Sequence, residues 1–556
     1  MGEKRILIVG GVAGGASCAA RARRLSEEAE IILFERGQYV SFANCGLPYY
    51  VGNVIKDQED LLVASEELFR DRFNIGVRSR NEVIAIDRER SMIKVRDLAS
   101  GKDYEEGYDA LVLAPGAAPI RPPLPGIELD GIFALRTIPD SVRIREWVDR
   151  SDAKKAVIVG CGFIGLEMAE NLVERGLSVQ MIEMAPQVMP PLDPEMAEIV
   201  HEHVEAEGVA IHLGDAVSSF EATEGGGKMV RTQKGYSFRA DIVILGIGVR
   251  PESRLADMAG LQTNDRGGIV VDEQMRTDDP KIWAVGDAVQ VRDTINGEWL
   301  QMPLAGPANR QGRIAADSIL GRSSKFRGVQ PTAVCGVMGK VAATTGASEK
   351  TLRRLGRAYG KVYLHPRHHV GYYPGAHPIR MKLLYDPNDN GRVLGMQAVG
   401  EAGVERRVDV VAAMIQMGGS VFDLEEAELC YAPQFGAAKD PVNMAGMIAA
   451  NALRGDAQFS HWESLEPGES TLLDVRSKEE FDEGHVPGAK NIDVNELRNR
   501  LGEIPKDRPV TAYCEVGQRA YYAQRLLSQN GFQASNLSGG IQTYNLWQRR
   551  RIRDAI

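Results

Sequence analysis

The sequence predicts an α/β fold class: two nucleotide-binding βαβ units in succession, an α+β segment, and a small terminal α/β domain. Three observations carry this. Two glycine-rich loops each follow an apolar strand and open a helix pattern, and in each case the next strand ends in glutamate. Near residue 329 the pattern changes to strands alternating with turns. After a polar stretch near 454–468 a fresh strand, loop and helix begin. At 556 residues the chain is too long for one core, so several domains are expected.

Composition excludes some classes. A net charge of −10 argues against a nucleic-acid footprint, which needs a basic face. No apolar run approaches a membrane span. Met1-Gly2-Glu3-Lys4-Arg5 leads at once into a strand, leaving no room for a signal peptide. Six cysteines are scattered at 18, 45, 161, 335, 430 and 514. That spacing fits reduced cytoplasmic thiols, not a disulfide framework, and offers no metal site.

The first unit starts with the strand Arg5-Ile6-Leu7-Ile8-Val9. Gly10-Gly11-Val12-Ala13-Gly14-Gly15 follows, then a helix expected from Ala16 to Leu25 and a strand from Glu30 that ends at Glu35, 25 residues after Gly10. This is a Rossmann-like fingerprint: Gly10, Gly14 and Gly15 make a tight turn, a helix N-terminus faces a pyrophosphate, and Glu35 holds a ribose. Val12 replaces the middle glycine. The second unit carries the full pattern, Gly160-Cys161-Gly162-Phe163-Ile164-Gly165, opening a helix expected over 162–175. Its second strand ends in Glu183, 23 residues after Gly160. A carboxylate there accepts ribose hydroxyls and repels a 2′-phosphate, which favours NADH while leaving NADPH possible.

Two nucleotide folds in one chain suggest a flavin (FAD) domain followed by a nicotinamide domain. Ala110-Leu111-Val112-Leu113-Ala114-Pro115-Gly116 reads as a buried strand with a tight turn. Ile282-Trp283-Ala284-Val285-Gly286-Asp287 reads as a strand ending in an acid. Asp287 is either a ligand for a flavin ribitol or part of a plain turn. The boundaries expected are 1–115 with 250–328 for the FAD-binding domain and 116–249 for the NAD(P)H-binding domain. Soon after the first unit, Ser41-Phe42-Ala43-Asn44-Cys45-Gly46 places one cysteine in a loop with no near dithiol partner. Cys45 is either a nucleophile beside a cofactor or a small hydrophobe.

Residues 329–453 read as an α+β domain, with strands around 341–344, 361–364, 381–385 and 393–398 and a helix from Val404 to Met417. Cys335 and Cys430 read as structural. Residues 454–468 read as a linker. In the last domain, 469–556, Cys514-Glu515-Val516-Gly517-Gln518-Arg519 joins a strand to a helix expected from Arg519 to Gln529. Six residues from cysteine to arginine make a cradle of inward amides, and the helix N-terminus favours a thiolate able to hold sulfane sulfur as a persulfide.

Together, the glycine loop with Glu35, the turn at Gly116, the second GxGxxG, Gly246-Ile247-Gly248-Val249-Arg250-Pro251 and Gly286-Asp287 resemble the flavoprotein disulfide reductases. The Ser41–Gly46 stretch narrows this to the single-cysteine coenzyme A disulfide reductases, a branch that also contains NADH oxidases and peroxidases. The resemblance covers about residues 1–453. It implies a homodimer, with 329–453 as its dimerisation domain, in which Tyr373, within Tyr372-Tyr373-Pro374-Gly375, and Tyr431, within Cys430-Tyr431-Ala432-Pro433, approach Cys45 of the other subunit. It also implies that Ser41, Asn44, Arg24, Asn309 and Lys439 lie near coenzyme A. Arg24 and Lys439 suit its phosphates, or are solvated surface charges. With Asp474-Val475-Arg476 and His485-Val486-Pro487-Gly488-Ala489, the last domain resembles a single-domain rhodanese, with Cys514 as nucleophile and Gly517 and Arg519 in its loop. Glu515 departs from the arginine common in thiosulfate-using members and points to a thiol-bound donor.

The expected function is NAD(P)H-dependent reduction of sulfane sulfur or disulfides (coenzyme A persulfide, polysulfide, coenzyme A disulfide) through Cys45, with Cys514 supplying or relaying sulfur. The alternatives are an NADH peroxidase or oxidase cycling through a sulfenic acid, and a redox-sensing or sulfur-relay binding protein.

Overall fold

The computed structural model describes residues 4–150, 152–466 and 468–555. They form two units. One runs to Met184 and resumes over Val209–Val329; the other takes Ala185–Gly208 and the chain from Gln330 onward.

The first unit is one design built twice. Its first parallel sheet has the order Ile282–Ala284, Ala110–Leu113, Arg5–Val9, Glu30–Glu35, Gly76–Ser79. Its second has the order Ile132–Ala134, Ile242–Leu245, Lys155–Val159, Ser178–Glu183, Ala210–Leu213. In both, the strand before the glycine loop is central and the strand ending in glutamate lies beside it. A three-stranded antiparallel meander then leads to the strand on the other side: Asn81–Asp87 to Asp103–Gly107 in one copy, Val217–Ala222 to Ser237–Ala240 in the other. Ile6, Leu7 and Ile8 are fully buried because helices or loops cover both faces, which is why the run is apolar without alternation. Each such side chain contributes roughly 1.5–3 kcal/mol by leaving water. Ala117–Pro119 pairs with Val249–Pro251, so the two chain crossings between the copies lie side by side.

The first helix is Ala13–Leu25, three residues longer at its start than expected. Its small residues let it meet helix Ala305–Ile319 backbone to backbone: a Cβ on Gly312 would fall 2.2 Å from the Gly14 carbonyl oxygen.

The second unit begins with an antiparallel sheet in the order Ala333–Val337, Lys340–Gly346, Arg392–Gly400, Ile379–Asp386, Gly360–Leu364. Helix Val404–Gln416 packs on it through Val404, Val408, Val411 and Ile415. A parallel sheet follows, in the order Phe459–Ser460, Ala534–Leu537, Val510–Tyr513, Thr471–Asp474, Lys490–Asn491.

Two segments differ from the sequence reading. Part of the stretch read as a linker is structured. Phe459 and Ser460 pair with Asn536 and Leu537, and Trp462 donates to the Gly540 carbonyl at 2.9 Å while packing on Tyr544. The cause is three large apolar side chains, Phe459, Trp462 and Leu465, in an otherwise polar run; Pro467 lies outside the described residues. Helix Pro194–Ala206, read as part of the NAD(P)H domain, groups with the second unit. There the fully buried Lys382 ammonium meets Asp193 at 2.9 Å, Glu195 at 2.6 Å and Glu349 at 2.5 Å. Lys361 joins Glu349 at 2.8 Å and also pairs with Glu463. Burial opposes the Lys382 charge, but the carboxylates win and hold it protonated well above the usual lysine range. Among the described residues no helix is long and apolar enough to cross a membrane.

Candidate functional site

The two glycine loops have the same local construction. Gly10 and Gly160 take φ of +98° and +104°, a region that favours glycine. Gly15 and Gly165 let the helix start pass over the loop: a Cβ there would lie 1.9 Å and 2.0 Å from the Gly10 and Gly160 carbonyl oxygens. Gly14 sits against the Val285 side chain. Gly162 has open space where a Cβ would be, which leaves room for a pyrophosphate to approach. Val12 occupies the corresponding place in the first loop. The two acids also match. Glu35 accepts from the Gly11 amide at 2.9 Å, and Glu183 accepts from the Cys161 amide at 2.7 Å. Each carboxylate therefore stands at the rim of its loop, where a ribose hydroxyl would meet it.

Cys45 lies in the short 3-10 turn Asn44–Gly46, ahead of helix Leu47–Val51. The loop is pinned on both sides. The Ser41 amide donates to the Gly11 carbonyl at 2.8 Å, and the Ala43 amide donates to the Leu61 carbonyl at 2.8 Å. Ser41 has φ of +47°, a left-handed conformation that non-glycine residues adopt at a cost of about 1–3 kcal/mol and that clusters at functional sites. The Cys45 side chain is exposed. Partial desolvation nonetheless pushes its thiol up, and the negative charges of Glu167 and Asp287 add to this. Asp287 lies in the turn Gly286–Ala288; desolvation raises its carboxyl and Arg136, 3.9 Å away, opposes the rise. Asn44 Oδ1 is buried without a hydrogen-bond partner, so the loop presents an unused acceptor.

Of the remaining residues implied for coenzyme A in this unit, Asn309 is exposed near the start of helix Ala305–Ile319 and bonds to Ser17 through its side chain. Arg24 is exposed in the last turn of helix Ala13–Leu25, at the far end from the glycine loop. Lys439, in the second unit, is exposed beside the buried Asp440.

The tyrosines lie on two neighbouring loops of the second unit, joined where the Val370 amide donates to the Gly436 carbonyl at 3.0 Å. Tyr373 and Tyr431 are 42% and 45% exposed, too open for packing residues. In the described chain it is Tyr372, not Tyr373, whose hydroxyl meets that of Tyr431, at 2.9 Å. Tyr373 sets its ring edge-on to His369. Cys430, read as structural, is exposed; Cys335 is buried as expected.

The C-terminal cradle takes shape around Cys514, which is 1% exposed. Gly517, at φ +98°, turns its amide onto the Cys514 sulfur at 3.2 Å, and helix Gln518–Gln529 starts there. Ile541 supports the loop from behind by donating to the Cys514 carbonyl at 2.8 Å. Arg519 faces the sulfur and is held by Glu480 through two bonds of 2.6 Å. That pair draws the Glu480 carboxyl down to about 2. Glu515 accepts from Gln542 at 2.6 Å and lies 3.6 Å from Arg476, so the acid at the mouth is partly neutralised.

Sequence reasoning missed Glu167, Tyr372 and Glu480. Glu167 sits on helix Phe163–Glu174, and burial with Glu170 nearby raises its carboxyl to about 7. Its only sequence signal is its place one turn into the helix that the second glycine loop opens. Glu480 was signalled by its position three residues after Ser477, where it closes a capping box.

Comparison with known proteins places three family models on the chain. Pyridine nucleotide-disulphide oxidoreductase matches residues 4–312. The dimerisation domain of the same family matches 333–440, and the rhodanese-like domain matches 460–546. The structure of reduced Bacillus anthracis CoADR-RHD is similar at 45% identity and a TM-score of 0.96, covering 98% of both chains. An NAD-dependent persulfide reductase from A. fulgidus is similar at 35% identity and a TM-score of 0.90, covering 97% of this chain and 100% of that one. A coenzyme A disulfide reductase of Staphylococcus haemolyticus is 32% identical over 447 residues, 80% of this chain and 99% of that protein. An NADH oxidase of Methanocaldococcus jannaschii is 36% identical over 452 residues, 81% of this chain and 99% of that protein.

Proposed function

The chain belongs to the pyridine nucleotide-disulphide oxidoreductase family, and on that premise we propose that it uses NADH to reduce persulfides and disulfides of coenzyme A at Cys45. The observation that carries this is the presence, in one chain, of an exposed lone thiol that feels the negative charges of Glu167 and Asp287 and of a second thiol cradled by the Gly517 amide. The likeness to a rhodanese-bearing coenzyme A reductase and to a persulfide reductase over nearly the whole chain supports it.

The residues present fit both nucleotides. The Gly10 loop, Glu35 and Asp287 would hold FAD. The Gly160 loop with Glu183 suits NADH, and the open space at Gly162 admits a pyrophosphate. When bound, the flavin supplies two-electron reduction between nicotinamide and thiol. The chain's own residues do the rest. Cys45 as thiolate attacks the sulfur–sulfur bond of coenzyme A persulfide, displacing hydrosulfide and leaving a mixed disulfide. Two electrons and a proton return the thiolate and release the coenzyme A thiol. Tyr431 and Tyr373 of a second copy give the leaving sulfur a hydrogen bond or proton. The unused Asn44 acceptor, Ser41 and Asn309 orient the coenzyme A arm, and Arg24 and Lys439 take its phosphates. Cys514 accepts sulfane sulfur, its terminal charge met by the Gly517 amide and Arg519. The chain works as a homodimer in the cytoplasm, where thiols stay reduced.

The test is steady-state NADH oxidation with coenzyme A persulfide, coenzyme A disulfide, polysulfide, hydrogen peroxide and oxygen. Turnover is highest with a coenzyme A persulfide or disulfide. Cys514→Ser slows only reactions that begin from a polysulfide or a protein persulfide. Faster turnover with peroxide or oxygen selects the sulfenic-acid reading instead. Negligible turnover with every acceptor selects a binding protein.

Glu167 gives a pH prediction. Its carboxyl ionises near 7, and its charge raises the Cys45 thiol. Glu167→Gln removes that charge, so the Cys45 titration, followed by the pH dependence of alkylation, moves to lower pH. An unchanged titration means Glu167 does not act on the thiol.

A further inference from the structure

Tyr431 is held at both its backbone and its hydroxyl by groups outside the sequence motif. Arg406, in the first turn of helix Val404–Gln416, donates to the Phe435 carbonyl at 2.9 Å and to the Cys430 carbonyl at 3.2 Å. Cys430 immediately precedes Tyr431, so this bond fixes the peptide from which the phenol projects. The adjacent Arg407 is 1% exposed. It donates to the His368 carbonyl at 2.6 Å and to Asp440 Oδ2 at 2.9 Å. Neighbouring guanidinium groups on one helix thus fasten both tyrosine loops. Tyr372 holds the other end, its hydroxyl 2.9 Å from that of Tyr431. These are independent restraints, one on the main chain and one on the reacting oxygen.

We propose that Arg406 and Tyr372 are positioning residues for the Tyr431 hydroxyl in the reduction of disulfide and persulfide substrates. The proposal rests on the reading that Tyr431 assists the leaving sulfur. In that step the Tyr431 O–H bond breaks and an S–H bond forms on the departing thiolate. The phenolate oxygen then carries the charge, and the Tyr372 O–H donates to it without giving up its own proton. Solvent reprotonates Tyr431. Before the step the contact between the two hydroxyls orients the phenol. Tyr373 has no part in this contact.

The experiment uses the full-length, flavin-loaded enzyme with NADH and coenzyme A disulfide, comparing kcat and KM for Tyr431→Phe, Tyr372→Phe, the double variant, Arg406→Met and Arg406→Lys. Tyr372→Phe lowers kcat about 3- to 10-fold, the range of one directed hydrogen bond, with KM for NADH unchanged. The double variant is no slower than Tyr431→Phe alone, because Tyr372 acts only through Tyr431. Arg406→Lys recovers part of what Arg406→Met loses, since an ammonium reaches one of the two carbonyls. Independent, multiplying losses in the double variant overturn the proposal. So does a normal kcat for Tyr372→Phe beside an impaired Tyr431→Phe, which leaves the role of Tyr431 standing. A normal Tyr431→Phe removes that role and the proposal with it. Tyr372 is 74% exposed, so its loss of one oxygen leaves the fold intact even where an Arg406 variant misfolds.

Discussion

Replacing Cys45 by serine lowers NADH-dependent reduction of every sulfur substrate by at least about 1,000-fold, the scale seen when a covalent nucleophile is removed. Serine is nearly the same size, and the position is an exposed turn with no packing role, so flavin content and unfolding behaviour stay unchanged. A hydroxyl cannot take the place of a thiolate here, because its proton is far harder to remove and it cannot form the mixed disulfide. Cys514→Ser is the internal control: it spares direct reduction of coenzyme A disulfide. The measurement is NADH oxidation under anaerobic conditions with each substrate in excess. Retained turnover with coenzyme A persulfide in Cys45→Ser refutes the mechanism, whatever happens with oxygen.

Lys382→Met destabilises the second unit by about 3–5 kcal/mol, the usual cost of stripping one partner from a buried ion cluster. The three carboxylates left behind, Asp193, Glu195 and Glu349, come from the starts of two helices, Pro194–Ala206 and Glu349–Arg354, that the ammonium joins to the antiparallel sheet. Methionine fills the stem volume, so the loss reports on charge and not on a cavity. In the wild type, burial works against the Glu349 charge but Lys382 and Lys361 hold its ionisation well below the usual carboxylate range. That contribution is present above the unfolded carboxylate value and disappears as pH falls through the folded one. In Lys382→Met Glu349 keeps Lys361 but loses the second ammonium, so its ionisation rises and this pH-dependent contribution shrinks. Hydrogen exchange of peptides over Gly360–Leu364 and Pro194–Ala206 reads this locally. Unchanged protection at neutral pH refutes it.

Much of the fold was legible because both nucleotide units announce themselves through glycine spacing and unbroken apolar strands. Glu35 and Glu183 were found from the strand end alone, and each sits at its loop. The contact between Tyr372 and Tyr431 was not legible. Tyr372 and Tyr373 are adjacent, and spacing cannot say which hydroxyl meets Tyr431. Glu167 was hidden because helix position does not reveal desolvation. The stretch at 454–468 was misjudged because polar composition outweighed Phe459 and Trp462, which tertiary packing recruits. Helix Pro194–Ala206 followed buried charges contributed from some 150 residues or more farther along the chain, a pairing no local pattern encodes.

The edge strand Phe459–Ser460 has a practical consequence for dissecting the protein. An excision beginning at Glu469, where the sequence alone sets the boundary, strips the Ala534–Leu537 strand of its outer neighbour and bares the main-chain donors and acceptors of that edge to solvent. Such a fragment is an invitation to intermolecular strand pairing. One starting at Asp456 carries its own selvedge, together with the indole that closes over Tyr544.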